Sequence, residues 1–242
     1  MITCPIKTEL LIAAGSAALA TVLSPTVARA EVTPIAPLDS DLLAEFNSIV
    51  IEQIEMAPLT DQQLNMLALD PSALTLSQDI DDVQVYFINE SADFQNQLLF
   101  STDNGNTLTS IFDSVSSPNS IRPNSDGPLE LGQGVSLGSF SSSTVLDFFL
   151  KSTDFVGTTF TFGLDSTQNP DGLQHIVAYE TQDFLLLGFE DIFGGGDRDY
   201  TDAVIAVKLV QDVPEPASLL GLLSVGIVGA GSVVGRLGRT RE

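Results

Sequence analysis

Beyond residue 39 the apolar residues first return with a helical period. Leu42, Leu43, Phe46, Ile49, Val50 and Ile54 fall on one side, with Asp41, Glu45, Ser48, Glu52 and Glu55 on the other, and Asp39 or Ser40 stands where a cap is needed. Ala57-Pro58 ends this helix. A second begins at once: Thr60 and Gln63 have the spacing of a capping box, Leu59 and Leu64 that of a hydrophobic staple, and Asp70-Pro71 marks the expected end. From Asp79 onward the period falls to two. Val83, Val85 and Phe87 alternate with Gln84, Tyr86 and Ile88, and strand-like runs follow as "TLTSIF", "TVLDFFL", "TTFTFGL", "QHIVAYE", "FLLLGF" and "AVIAVKLV". Turn formers such as "DNGN", "SPNS", "PNSDG" and "NPDG" separate them.

Many short strands with no helices between them predict a mainly β fold, an antiparallel β-sandwich of jelly-roll or Greek-key type spanning 79–212. The helical segment, 31–78, either packs on the sandwich or stands apart as a hairpin; the pattern is compatible with both. The Ser-rich stretch from Ser114 to Ser143 reads as a set of long exposed loops. No internal repeat is visible.

Both ends of the chain have a different character. Lys7 precedes an apolar run from Leu10 to Leu23, and Ala28-Arg29-Ala30 is a small-x-small site for signal peptidase, so 1–30 is expected to be a signal peptide and the mature chain to begin near Glu31. Cys4, the one cysteine, would leave with it, which removes disulfides, thiol catalysis and Cys-ligated zinc from consideration. At the other end, "VPEP" leads into an uncharged apolar stretch, 217–234, and then a basic tail, 235–242, with Arg236, Arg239 and Arg241. The stretch lies at the short end of the roughly 17–25 residues a spanning helix needs, and the arginines mark its far side as cytoplasmic.

The order Pro214-Glu215-Pro216, apolar helix, arginine cluster resembles the PEP-CTERM sorting signal of Gram-negative bacteria. That resemblance, over 213–242, implies export through the inner membrane and transient anchoring there by a transmembrane sorting helix. An exosortase-type enzyme would then process the tail and pass the protein to the cell surface or the extracellular space. Proteins with this signal are associated with exopolysaccharide and biofilm matrix.

Charge narrows the partners further. Lys and Arg number 9 against 32 Asp and Glu, a net charge of -23, which repels nucleic acid and attracts cations. The acids gather in "GFEDIFGGGDRDYTD", where Glu190, Asp191, Asp197, Asp199 and Asp202 surround three consecutive glycines and only Arg198 offers relief. Asp197 and Asp199, two apart, point the same way in extended backbone, and a turn returns Asp202 to them. The glycines let the backbone bend and face its carbonyls inward. Such a set of oxygens suits Ca²⁺, which takes ~6–8 oxygen ligands, better than Mg²⁺. The competing reading is a solvated acidic turn whose charges never converge. An EF-hand is excluded by the absence of its alternating acids, and phosphate binding by the absence of a Lys.

"LLGFEDIFGGGDRDYTDAVIAV", with "VSLGSF", "DFFLKS" and "NPDGLQHIVAY" upstream, resembles the uncharacterised bacterial family "domain of unknown function 4114" over Val135 to Val210. The resemblance implies an extracellular β-rich domain, often in adhesin-like settings, with Ca²⁺ ligands at Asp191, Asp197, Asp199 and Asp202. Glu190 is a further candidate. Asn169 and Asp171 of "NPDG" would complete the coordination if the sheet brings their loop alongside; the alternative is a plain turn. His175, the sole histidine, has no second histidine or serine motif to support catalysis and reads as a packed or surface residue, while Tyr200 is expected to pack beneath the loop with Phe189 beside it.

Three functions compete on these grounds. The first is a calcium-stabilised surface or matrix protein without catalytic activity, able to meet extracellular polysaccharide. The second is a calcium-dependent, lectin-like carbohydrate-binding module; the chain has no Trp and only 3 Tyr for sugar stacking. The third is a glycoside hydrolase using paired carboxylates.

Overall fold

A computed structural model describes residues 32–55, 58–121, 127–181 and 183–211. Ala28 and Ala30, Pro214-Glu215-Pro216, the apolar stretch 217–234 and the basic tail lie outside the described residues. Among those described, no helix is long and apolar enough to cross a membrane.

Among the described residues, ten strands form two antiparallel sheets. They are β1 (Thr33–Ile35), β2 (Asp82–Asn89), β3 (Gln95–Ser101), β4 (Thr109–Phe112), β5 (Gly134–Ser136), β6 (Asp147–Thr153), β7 (Thr159–Gly163), β8 (Ile176–Glu180), β9 (Leu185–Phe189) and β10 (Ala203–Val210). One sheet runs β1-β5-β2-β10-β9-β8 and the other β4-β3-β6-β7. Their inward residues share one core. Val83, Val85, Phe87, Leu187, Phe189, Ile205 and Val207 come from the first sheet, and Leu98, Phe100, Phe148 and Leu150 from the second. This is a β-sandwich: the period-two alternation of strands such as β2, β3, β6, β9 and β10 puts one side of each into the shared core, and burial of those side chains dominates its stability.

The other side of β2 and β10 is apolar too, and it has its own cover. Tyr86, Ile88, Val204 and Ala206 pack under Leu38 and Phe46, with Leu42, Leu43 and Ile49 partly buried around them. Phe46 belongs to α1 (Ser40–Glu55), whose first turn is held by Asp39 Oδ1 accepting from the Asp41 N–H at 2.9 Å. This explains why Ile88 breaks the polar register of its strand. It faces a helix, not water.

The second helix, α2 (Asp61–Leu67), starts at Thr60 with the expected capping box but stops earlier than expected. Asp70 then caps a separate single 3₁₀ turn, Pro71–Leu74, through the Ser72 N–H. Pro71 lacks the N–H that a continuing α-helix would need, so the chain restarts as a tighter turn. Leu64 of α2 and Leu59 pack with Val177 and Tyr200 at the β8 edge. Both helices therefore belong to the sandwich.

The Ser-rich stretch is less exposed than expected. It contains β5, and Val115, Leu129, Leu137, Ser117 and Ser120 are buried. Ser120 Oγ donates to Glu90 Oε1 at 2.8 Å, so the hydroxyls satisfy buried acceptors instead of facing solvent.

Candidate metal centre

Strands β9 and β10 are hydrogen-bonded neighbours whose pairing ends at Phe189 opposite Ala203. Glu190 and Asp202 thus leave the ladder side by side, and the acidic glycine loop is the connection between them. Asp202 N–H donates to the Phe189 carbonyl at 3.1 Å, and Asp191 N–H donates to Asp202 Oδ2 at 2.9 Å. On the far side, Glu190 N–H donates to the His175 carbonyl at 2.9 Å, extending the β8 pairing by one residue. Three adjacent strands therefore fix the base of the loop.

The result is a buried set of carboxylates. Glu190 is 0% exposed, Asp191 3% and Asp202 9%, and one oxygen from each lies within 4.8 Å of the others. Glu190 also joins a more open group with Asp197 and Asp199 on the same distance criterion. Backbone donors reach only part of this charge. Arg198 N–H donates to Glu190 Oε2 at 2.9 Å and Ile192 N–H to Glu190 Oε1 at 3.4 Å, while Asp199 Oδ1 accepts from Thr201 N–H at 3.0 Å.

Arg198 does not supply the relief expected of it. Its guanidinium turns outward to Asp61 of α2 at 2.6 Å, leaving only its backbone N–H for the cluster. Burial therefore pushes Glu190 up to about 7, with Asp197 and Asp191 adding repulsion. Burial also pushes Asp202 up to about 10, reinforced by the charges of Asp191 and Glu190. Asp191 is raised for the same first reason, partly offset by the Asn96 amide. Without a counter-ion, such carboxyls take up protons in place of ionising in a low-dielectric pocket.

Glycine is required at Gly196. Its φ is +45°, and a Cβ there would collide with the Glu190 carboxylate. The loop closes over Glu190 because nothing projects from that position.

The "NPDG" loop does lie against the glycine loop. Asp171 Oδ2 accepts from Gly194 N–H at 2.7 Å and lies 2.9 Å from His175 Nε2. Asn169, however, spends its side chain on backbone: Oδ1 accepts from Gly163 N–H at 2.7 Å, and Nδ2 donates to the carbonyls of Gly163 at 3.1 Å and Leu173 at 2.8 Å. Asn169 shapes the turn and Asp171 ties it to the loop; neither stands among the converging carboxylates. His175 is fully buried, stacked on Phe162 at 3.7 Å between centroids, with Nδ1 2.7 Å from the Glu190 carbonyl. Both nitrogens are engaged, so the ring braces the site and offers it no ligand. Tyr200 is buried as expected, yet its neighbours are Leu59, Leu64 and Val177, while Phe189 faces the main core. Its hydroxyl donates to the Gln174 carbonyl at 2.9 Å.

Asn96 was not foreseen. It lies on β3 of the opposite sheet, 4% exposed, and its Nδ2 donates to Asp191 Oδ2 at 2.8 Å. The sequence held a signal: in "QNQLLFS" the inward positions are Asn96, Leu98 and Phe100, and an amide where the alternation calls for an apolar residue needs a reason.

Residues 140–210 match the model of the family described as Domain of unknown function (DUF4114). The match was expected from Val135 and begins slightly later. It takes in β6 to β10, the "NPDG" turn and the whole acidic loop, so every carboxylate of the cluster falls inside the DUF4114 segment, whereas Asn96, α1 and α2 fall outside it. No curated protein and no solved structure matches the chain.

An all-oxygen donor set at the end of a rigid strand pair is chemistry for a hard cation. Ca²⁺ accepts carboxylates, carbonyls and water at roughly 2.3–2.6 Å in flexible geometry. The loop also offers no thiol, and its one imidazole is committed elsewhere.

Proposed function

We propose that this chain is an exported, calcium-stabilised protein of the cell surface or biofilm matrix, without catalytic activity. The single observation that carries the calcium reading is the buried triad Glu190, Asp191 and Asp202, three carboxylates converging where, among the described residues, backbone N–H groups and one amide answer them but no cationic side chain does. A divalent cation turns that mutual repulsion into cross-links between the ends of β9 and β10. The mature chain has no cysteine, so a bound ion takes the place that disulfides hold in other exported domains. Signal peptidase acting after Ala30 and an exosortase-type enzyme acting at Pro214-Glu215-Pro216 are the processing partners of this reading, with transient anchoring in the inner membrane by 217–234. The net charge of -23 favours calcium bridging to anionic extracellular polysaccharide and disfavours nucleic acid.

One observation favours a second reading, a calcium-dependent carbohydrate-binding module. Phe193, in the acidic loop itself, is 49% exposed and rests on Phe160 with ring centroids 4.8 Å apart, giving an apolar face on the loop that also carries Asp197. The hydrolase reading is weaker. The triad oxygens lie within 4.8 Å of one another and are buried, whereas paired glycosidase carboxylates flank a substrate at roughly 5–9.5 Å.

The test is thermal unfolding of the purified full chain in excess EDTA and in millimolar Ca²⁺, followed by glycan binding with and without chelator. A melting temperature that rises with Ca²⁺ supports the reading, and chelator-sensitive glycan binding selects the lectin-like form. An unchanged melting temperature overturns the calcium reading.

A further inference from the structure

Asn96 is one of the residues that the sandwich should not tolerate at its position. Its strand neighbours on the same face, Leu98 and Phe100, belong to the main core, and a buried amide there is costly unless all its groups are satisfied. Half of it is. Nδ2 donates to Asp191 Oδ2, but Asn96 Oδ1 is buried with no hydrogen-bond partner among the described residues. An orphaned buried acceptor of this kind has given up its water with no hydrogen bond in return. The same amide touches Asp191, whose carboxylate converges with those of Glu190 and Asp202.

The geometry points to Asn96 as a ligand of the cation, its side-chain oxygen joining Glu190, Asp191 and Asp202, so that the ion staples the two sheets of the sandwich together. This rests on the reading of the carboxylate triad as a cation site and adds to it a ligand from outside the DUF4114 segment. The two ends of a side-chain amide exchange places by a simple rotation. In one orientation Nδ2 meets Asp191, as seen; in the other, Oδ1 would stand 2.8 Å from Asp191 Oδ2. Two oxygens at that separation repel unless a proton or a cation joins them, and it is the spacing expected of neighbouring ligands held at roughly 2.3–2.6 Å from Ca²⁺. Carboxylates from the β9–β10 connection alone would stiffen one loop. Asn96 makes the ion an intersheet contact, because β3 and β9 belong to different sheets.

The proposal is tested with the purified full chain and three side chains at position 96. Calcium affinity is read by calorimetry, and the number of coordinated waters by the luminescence lifetime of Tb³⁺ in H₂O and D₂O. Asn96→Leu keeps the volume, suits the apolar face and removes the oxygen; Asn96→Asp restores an oxygen. The expected result is an affinity for Ca²⁺ lowered on the order of tenfold or more in Asn96→Leu, one additional water on Tb³⁺, and stability in EDTA equal to or above that of the parent. Asn96→Asp should bind at least as tightly as the parent. If the parent binds Ca²⁺ and Asn96→Leu, folded by circular dichroism, matches it in affinity and water count, Asn96 is no ligand and the carboxylate site stands without it. If the parent binds no Ca²⁺, the underlying reading falls and the proposal falls with it.

Discussion

Replacing Asp202 by Asn removes one ionisable carboxyl from the triad and almost nothing else. The amide oxygen still accepts from the Asp191 N–H, a bond of 2.9 Å in the parent, and the new NH₂ meets the Glu190 carboxylate beside it. In the cation-free parent, burial lifts Asp202 from an ordinary 3.8 to about 10, so at pH 7 folding forces a proton onto a group that is ionised in the unfolded chain. A difference of about three pH units at roughly 1.4 kcal/mol each makes that cost ~4 kcal/mol. Asn carries no such cost. In EDTA, Asp202→Asn should therefore melt above the parent by up to ~8–16 °C, at roughly 2–4 °C per kcal/mol for a chain of this size. Calcium narrows the gap. A site occupied at a hundred times its dissociation constant adds about 2.7 kcal/mol to the parent, and the variant should lose most of this gain. Differential scanning calorimetry in EDTA and in Ca²⁺ reads both the gap and its narrowing. A variant less stable than the parent in EDTA, with the same response to Ca²⁺, would refute the reasoning, because Asp202 would then be neither strained without the ion nor bound to it.

The raised carboxyls also fix the sign of the pH dependence. Glu190 stands at about 7 against an ordinary 4.5, and Asp202 at about 10 against 3.8, so the cation-free protein should be most stable below about pH 4 with respect to these groups and lose that contribution as pH rises toward 7 and beyond. Calcium must displace those protons, so its affinity should be weaker at pH 5 than at pH 8; calorimetry across that range checks it, and a flat profile would count against the triad. Gly196→Ala places a Cβ against the Glu190 carboxylate and should lower calcium affinity on the order of tenfold. Gly194→Ala, at φ +94° with nothing within 4 Å, should cost only ~1–2 kcal/mol of stability and spare the affinity, so equal binding losses in the two variants would contradict the role given to Gly196.

Much of this architecture was legible in the order of residues, because periodicity reports which side of an element is apolar. The alternation of Val83, Val85 and Phe87 marked β2, Thr60 and Gln63 marked the start of α2, and "EDIFGGGDRDYTD" marked a loop whose acids and glycines require one another. Periodicity does not name the partner across a gap. Arg198 looked like the counter-charge of its own loop and instead reaches Asp61, far back in the sequence, since α2 docks on the β8 edge and presents a carboxylate there. Asn169 was open to two readings, additional ligand or plain turn, and its side chain is consumed by the backbone of its own turn.

The sequence alone determined that acids would crowd around three glycines between two strands, because neighbouring residues share one backbone and cannot separate. Tertiary structure alone decided which of them are buried and what faces them. The end of the β9–β10 ladder sets Glu190 beside Asp202, and the packing of a second sheet brings Asn96 to Asp191. That second contact joins residues 95 positions apart. Only the closure of the sandwich, driven by the burial of apolar faces from both sheets, fixes a distance over such a separation.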